Sequence, residues 1–308
     1  KIEKKDYEEI DKITDIIERL SKKYSMPEWI VKELFKEYEI DILEQILKVF
    51  NEKPVTTIRI NNLKTTKEEV KEILRKSNIE HIDVDKSDFL HLKGIKDISN
   101  LEIFKDGYIT VQDIGAGAIV KMLQPKENEK VLDACSAPGG KTTYIAQMMN
   151  NKGQIIAWDL YPNRLNLVAE NAKRLGIDII KTQAKDATIF DSKYVEKFDK
   201  ILLDVPCLGL GVIKRKPDIK WQKKETDIEE ITKIQIKILQ NCFYYLKKGG
   251  NLVYSTCSIL KDENEDIIKL FVEECRKNNQ EIKILESKKI IPNTLNDGFY
   301  MCKICKEL

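Results

Sequence analysis

From Gly115 to the C-terminus, short apolar runs rich in Val, Ile and Leu alternate with segments whose apolar residues recur at helical spacing. The strand-like runs are Lys130–Ala134, Gln154–Asp159, Ile179–Gln183, Lys200–Asp204 and Asn251–Ser255. The helical ones are Ala116–Leu123, Lys141–Met149, Asn163–Leu175, Ile228–Leu246 and Asn264–Lys277, with terminal strands near Lys283–Leu285 and Phe299–Ile304. Strands that are apolar throughout need helices on both faces, so this pattern predicts an α/β domain with a parallel, doubly wound sheet. Ligands of such sheets bind beyond the carboxyl ends of the strands. Asp133, Asp159, Asp204 and Cys257 all fall at or just past those ends.

The residues before Gly115 are organised differently. Ile10, Ile13, Ile16, Ile17 and Leu20 recur at helical spacing, Pro27 suits the start of a second helix, Glu28–Glu37, and a third follows at Ile40–Phe50. Val55–Asn61 then alternates as a strand, Thr66 caps a helix running to Ser77, and short strands are expected at His81–Val84, Phe89–Leu92 and Tyr108–Val111. The expected division is a helical segment over residues 1–50, a small α+β unit over 51–112 and the large α/β domain over 113–308.

With 53 basic and 51 acidic residues, net charge decides nothing about nucleic acid, and clustering must carry that argument. One cluster exists: Lys214–Lys224 holds six basic residues and one acid. No apolar run is long enough to span a membrane, and the polar start Lys1–Asp6 is not a secretory leader. A monomeric cytoplasmic protein with no membrane partner is expected. The absence of an initiating Met suggests a piece of something longer. Seven scattered cysteines suit free thiols in a reducing compartment. The lone Cys302/Cys305 pair lacks the further ligands of a structural zinc site, so no metal is expected.

The first strand of the large domain runs VLDACSAPGGKTT, turning through Pro138, Gly139 and Gly140 into a helix. Glycines there let backbone N–H groups approach a ligand. A P-loop is one reading of GGKT, but the position where that motif needs its first glycine is Cys135, and Pro138 removes a donor from the cradle. S-adenosylmethionine (AdoMet) is the other, its carboxylate and amine suiting backbone donors beside an acid. Asp159 follows Gly140 at the spacing of an acid that accepts ribose hydroxyls, and Asp186, past the third strand, is placed to meet an adenine. A nicotinamide cofactor would share the ribose logic, but AxPGGK is not GxGxxG.

Two cysteines follow strands in distinctive settings, Asp204-Val205-Pro206-Cys207 and Ser255-Thr256-Cys257-Ser258. A thiolate that adds to carbon 6 of a cytosine makes carbon 5 nucleophilic enough to accept a methyl group, and it leaves again readily. An acid at the Watson–Crick edge of the base could stabilise the N3 proton, and Asp204 is the candidate. The residues alone do not say which cysteine attacks.

The segments VLDACSAPGGKTT, DVPCLGLGVIKRKPDIKW, YSTCSILKDENE and DGFY, with GYITVQD and Arg59-Ile60-Asn61, resemble those of the RNA (cytosine-5)-methyltransferase family. Within it they are most like the bacterial ribosomal small-subunit type B, which carries an additional NusB-like domain upstream. The resemblance covers about residues 25–308. It implies a Rossmann-like methyltransferase sheet, Cys257 as nucleophile and Cys207 as the thiol that promotes release. It also implies AdoMet held by Cys135, Ser136, Ala137, Pro138, Gly139, Gly140 and Lys141 with Asp159, Asp186 and Asp204. Leu208 and Val205 depart from the usual small residue and Ala, and Leu208 would crowd the base pocket.

Beside a catalytic cysteine, the basic run reads as an RNA-binding edge comprising Lys214, Arg215, Lys216, Lys220 and Trp221, with Arg59 of the α+β unit as a further contact. The expected function is cytosine-5 methylation of small-subunit ribosomal RNA. The alternatives are a transfer-RNA substrate or a non-catalytic assembly factor that binds RNA.

Overall fold

The computed structural model describes residues 9–95 and 97–307, and the expected helical reading of the residues before 9 lies outside them. Among the described residues, Glu9 and Ile10 are helical, and α1 (Ile16–Tyr24), α2 (Glu28–Phe35) and α3 (Ile40–Val49) follow. Asp15 caps α1 by accepting from the Glu18 N–H at 2.9 Å, so the helix starts at Ile16, and Ile10 and Ile13 lie ahead of it. A four-stranded antiparallel sheet follows: β1 (Thr56–Ile60), β2 (His81–Asp83), β3 (Phe89–Leu92) and β4 (Ile109–Val111), in the order β2-β3-β1-β4. It packs against α4 (Lys67–Lys76), which opens on a capping box between Thr66 and Glu69, and against the short α5 (Glu102–Lys105). Ile58, Ile60, Val70, Leu74, Leu90 and Leu92 form the core of this unit.

The alternating half folds into a seven-stranded sheet. In chain order its elements are α6 (Ile114–Leu123), β5 (Lys130–Asp133), α7 (Gly140–Met148), β6 (Gln154–Asp159), α8 (Pro162–Leu175), β7 (Ile180–Ala184), β8 (Phe198–Asp204), α9 (Ile219–Gln222), α10 (Asp227–Tyr245), β9 (Leu246–Thr256), α11 (Glu265–Lys277), β10 (Ile282–Ile290) and β11 (Phe299–Lys306). The order β10-β11-β9-β8-β5-β6-β7 is parallel from β9 to β7, while β11 runs antiparallel to both its neighbours. The sheet is therefore mixed rather than wholly parallel. Residues 291–298, which join β10 to β11, are fewer than the dozen or so a parallel crossover needs.

Helices α10 and α11 cover one face, packing Leu239, Phe243 and Phe271 against Phe198, Ile201 and Tyr254. Helices α6, α7 and α8 cover the other, with Ile119, Val120, Ile145 and Leu175 against Val131, Ile155 and Val253. Helices α1, α2 and α3 form no separate body. Leu20, Ile30, Leu34, Leu43 and Leu47 share one core with Leu208, Leu210, Ile213, Ile259 and Leu260. That core lies directly behind the two chain segments that follow Cys207 and Cys257. Tyr38 strengthens the contact by donating from its hydroxyl to the Ile259 carbonyl at 2.9 Å.

Candidate active site

The loop after β5 is shaped by its own polar residues. Ser136 donates to the Trp158 carbonyl at 2.8 Å, and Thr142 donates to Asp133 Oδ2 at 2.7 Å. Gly139 has φ +100°, and a Cβ there would stand 3.0 Å from Val168 Cα, so both backbone and space demand glycine. A cavity of about 400 Å³ opens beside this loop. Asp133, Cys135–Pro138, Gly140, Lys141 and Asp204 line it from the large sheet, and Thr57, Val111, Gln112 and Asp113 line it from the small unit and the start of α6. Ala116, Arg215, Lys216 and Asp297 complete the wall.

Asp133 is the residue that motif reasoning left out of the site. It is buried, its Oδ1 has no hydrogen-bond partner, and desolvation pushes its carboxyl up to about 7. Its signal was visible, since it ends β5 as Asp159 ends β6 and Asp204 ends β8. Asp159 is also buried, and it braces the loop by accepting from the Ala137 N–H at 3.3 Å. Its other oxygen accepts from the Tyr161 N–H at 3.1 Å and from Arg164 at 3.3 Å. Asp186 turns the chain after β7 by accepting from the backbone and hydroxyl of Thr188, at 2.8 and 2.7 Å. Neither Asp159 nor Asp186 borders the cavity; they stand one and two strands along the same sheet edge.

On the opposite side of β5, strands β8 and β9 pair in parallel with Asp204 in register with Ser255. That register puts the turns carrying Cys207 and Cys257 side by side, and the two sulfurs are 3.2 Å apart. The Cys207 thiol is pushed well above its usual range, first by its hydrogen bond with Cys257 and then by burial. Gly211 makes the approach possible: its N–H donates to the Cys257 carbonyl at 2.9 Å, and a Cβ would collide with Cys257 and Gly298. Asp204 joins the two ends of the site. Its Oδ1 accepts from Ser255 at 3.0 Å, and its Oδ2 pairs with Lys141 Nζ at 2.6 Å. Burial works against the Lys141 ammonium, but Asp204 outweighs it and the net shift is upward.

The expected RNA contacts are largely corrected. Arg59 is fully buried, donating to the Gly140 carbonyl at 2.8 Å and to Thr143 at 3.1 Å, and stacking over the Tyr144 ring at 4.5 Å. Its partners across the β1–α7 junction remove it from any RNA surface. Lys214 and Lys220 are buried too, donating to the Asn293 carbonyl and to Asn51 Oδ1, both at 2.7 Å. Arg215 is held between Asp297 and Asp113, the latter at 3.1 Å. Three cations of the run are therefore engaged by residues distant in sequence, and α9 forms in its middle. Lys216, Lys224 and Trp221 do face solvent, Trp221 at 70% exposure. Leu208 does not crowd a base pocket, because its side chain is buried in the core shared with the N-terminal helices. Cys302 and Cys305 are residues of β11.

The donor set fits AdoMet. An unpartnered buried acid oxygen, Asp133 Oδ1, belongs to a residue lining the cavity beside a glycine loop, and further acids follow along the sheet edge where ribose and adenine would lie. Comparison with known proteins agrees. The model of the 16S rRNA methyltransferase RsmB/F family matches residues 120–305, and a ferredoxin-like domain described as RsmF/B-like matches residues 26–98. A probable ribosomal RNA small subunit methyltransferase B of Bacillus subtilis is 36% identical over 96% of this chain and 70% of its own length. A ribosomal RNA small subunit methyltransferase B of Photorhabdus laumondii is 38% identical over 91% of this chain and 66% of its own. This chain thus spans about two thirds of the length of these relatives. The solved structure of a methyltransferase homolog protein from Pyrococcus horikoshii superposes with a TM-score of 0.80, at 26% identity over 96% of this chain and 100% of that one. By motif, fold and relatives alike, the chain belongs to the 16S rRNA methyltransferase RsmB/F family of AdoMet-dependent enzymes.

Proposed function

We propose that the chain methylates carbon 5 of a cytosine in RNA through a covalent bond between Cys257 and carbon 6 of the base. The observation that carries this reading is the thiol pair, 3.2 Å apart and linked to the cofactor loop through Asp204 and Lys141. AdoMet, when bound, supplies the electrophilic methyl group. The residues proposed to hold it are the loop Cys135–Lys141 with Asp133, Asp159, Asp186 and Asp204.

Cysteine is the side chain suited to the reversible step, because a thiolate both adds to carbon 6 and departs from it. Cys257 is the proposed nucleophile because the segment Ser255-Thr256-Cys257-Ser258 resembles the one that carries that role in the family. Cys207 is then placed to assist removal of the carbon 5 proton and release of the Cys257 sulfur. Asp204, fixed by Ser255 and Lys141, faces the cavity where it can hold the proton on N3 and accept from the exocyclic amine. The target base must leave its stack to reach the thiols, which costs a few kcal/mol and least in a single strand. Lys216, Lys224 and Trp221 are the groups left to meet the flanking backbone and bases. The RNA is small-subunit ribosomal RNA, a reading supported by the names of the relatives.

Covalent trapping tests the mechanism. Cys207→Ala and Cys257→Ala variants are incubated with AdoMet and small-subunit RNA and separated on a denaturing gel. The Cys207→Ala protein is expected to shift to an RNA-linked band and the Cys257→Ala protein to stay free. The reverse pattern would exchange the two roles. Methylated RNA from the unaltered chain with no adduct in either variant would refute the thiol mechanism.

A further inference from the structure

Two buried polar neighbours, Glu263 and Asn264, lie beyond Cys257 at the start of α11, and neither lines the cavity. Their hydrogen bonds run, directly or through Gln235, to the residues on either side of each catalytic cysteine. Glu263 Oε2 accepts from the N–H of Leu208, which follows Cys207, at 2.9 Å. The same oxygen accepts from Gln235 of α10 at 2.9 Å, and Gln235 donates to the carbonyl of Pro206, which precedes Cys207, at 2.9 Å. Asn264 Oδ1 accepts from the hydroxyl of Thr256, which precedes Cys257, at 2.6 Å. Its Nδ2 donates to the carbonyl of Ser258, which follows Cys257, at 3.1 Å. Tyr254 anchors the pair to β9 by donating to the Glu263 carbonyl at 2.6 Å.

We infer that Glu263 and Asn264 are positioning residues, one for each cysteine turn, which together set the separation of the two thiols. The inference builds on the proposed two-thiol mechanism. Both turns lie past the ends of their strands, where the sheet no longer supplies backbone partners. With the residues before and after each cysteine pinned, the thiols keep little freedom beyond their own side-chain rotation. A carboxylate and an amide in an apolar interior are costly, the more so because Glu263 Oε1 has no hydrogen-bond partner. Here their bonds go to the one feature whose geometry the chemistry needs. Because the two residues are adjacent in sequence, a displacement of one turn is resisted by the anchor of the other.

The test reads the thiol separation directly and without RNA. The full chain is treated with diamide, an azo compound that takes two electrons and two protons from a thiol pair and leaves a disulfide. The rate of the Cys207–Cys257 bond is followed by mass spectrometry of the linked peptides. Gln235→Met and Thr256→Val are close in size to the native residues and remove one anchor each, on opposite turns. Each is expected to slow disulfide formation about tenfold, as a displacement short of the roughly 1 Å that costs a positioned reaction about a hundredfold would do. Glu263→Gln keeps an acceptor for the Leu208 N–H, so it should retain both the disulfide rate and methyl transfer within about threefold. Thermal unfolding checks that each variant is folded, and either turn alone suffices to read the distance. Unchanged disulfide rates in folded Gln235→Met and Thr256→Val would overturn the inference. Loss of methyl transfer in Glu263→Gln at a normal disulfide rate would also overturn it, by making Glu263 a proton-transfer group. Failure of the unaltered chain to form an RNA adduct while the rates follow the anchors would sink the mechanism and leave the positioning role standing.

Discussion

Lys141 Nζ lies 2.6 Å from Asp204 Oδ2, joining the first turn of the cofactor-loop helix to the strand end that leads into the Cys207 turn. Both side chains are mostly shielded from solvent, so each depends on the other for charge compensation. Asp204→Asn is expected to lower kcat about a hundredfold or more, because an amide cannot hold the N3 proton as a carboxylate does. AdoMet affinity should fall as well, but by less, since Asp204 is one of several residues proposed to hold it. Lys141→Met leaves the carboxylate without its partner and should cost about 1–3 kcal/mol of stability. The double variant should regain much of that stability but none of the activity. Equilibrium unfolding and single-turnover methyl transfer separate the two effects. Equal losses of stability and rate across all three variants would make the pair merely structural.

The Asp133 carboxyl, pushed up to about 7 by burial, predicts a pH dependence of AdoMet binding. Only the ionised form can pair with the ammonium of the amino-acid moiety. Affinity should therefore rise with pH through about 7, and Asp133→Asn should bind weakly without that slope. Stability without cofactor runs the opposite way. Below about 4 the carboxyl is protonated in both folded and unfolded chains. As pH rises toward 7 the unfolded chain ionises first, so the folded state loses ground. Asp133→Asn should accordingly gain stability over wild type as pH rises across that window. Isothermal titration at several pH values and denaturant midpoints check the two slopes, and a pH-independent affinity for wild type would exclude Asp133 as the ammonium partner.

The helix–strand alternation is legible because buried parallel strands have a strong compositional signature, and it alone places Asp133, Asp159, Asp204 and Cys257 at one sheet edge. The antiparallel β11 was not legible as such, since direction depends on the length of the connection rather than on the strand's own residues. The largest error concerns charge. Lys214 and Lys220 look like surface residues in a basic run, but their partners are the carbonyl of Asn293 and the amide oxygen of Asn51, 79 and 169 residues away in sequence. Long-range capture of a cation leaves no local trace. Likewise the N-terminal helices displayed ordinary apolar stripes, and nothing in them announced that Leu208 and Ile259 would complete their core.

Arg59 supplies a prediction of the opposite sign from an RNA contact. Its guanidinium bridges Gln112, Gly140 and Thr143, and burial pulls its pKa down to about 9, leaving it charged at neutral pH. Arg59→Met should destabilise the fold by about 3–5 kcal/mol, because polar groups on both sides of the junction lose their partner at once. AdoMet affinity should fall with it, since Gly140 is one of those partners. The dependence of RNA affinity on salt should not change. A reduced salt slope in a stable Arg59→Met protein would restore the RNA-contact reading.

The residues of the basic run should divide in the same way, by exposure rather than by charge. Lys216, Lys224 and Trp221 face solvent on or next to α9. Ile219 of the same helix would lie 3.1 Å from a Cβ at Gly209, whose Cβ would in turn lie 3.9 Å from Cys257 Sγ. On the proposed mechanism, an RNA strand delivering a base to the thiols would pass close to this helix. Each lysine that contacts a phosphate contributes roughly 0.7 to the slope of log affinity against log salt for a single strand. Lys216→Ala and Lys224→Ala should each lower the slope by about that amount at unchanged thermal stability. Trp221→Ala should weaken binding by about 1–3 kcal/mol at every salt concentration, because stacking carries no counterion term. Lys214→Ala and Lys220→Ala should do the reverse, lowering stability and leaving the slope intact. Filter binding across a salt series, paired with thermal melts, distinguishes the two sets. If Lys214 and Lys220 changed the slope while Lys216 and Lys224 did not, the RNA would have to run along a different edge of the protein.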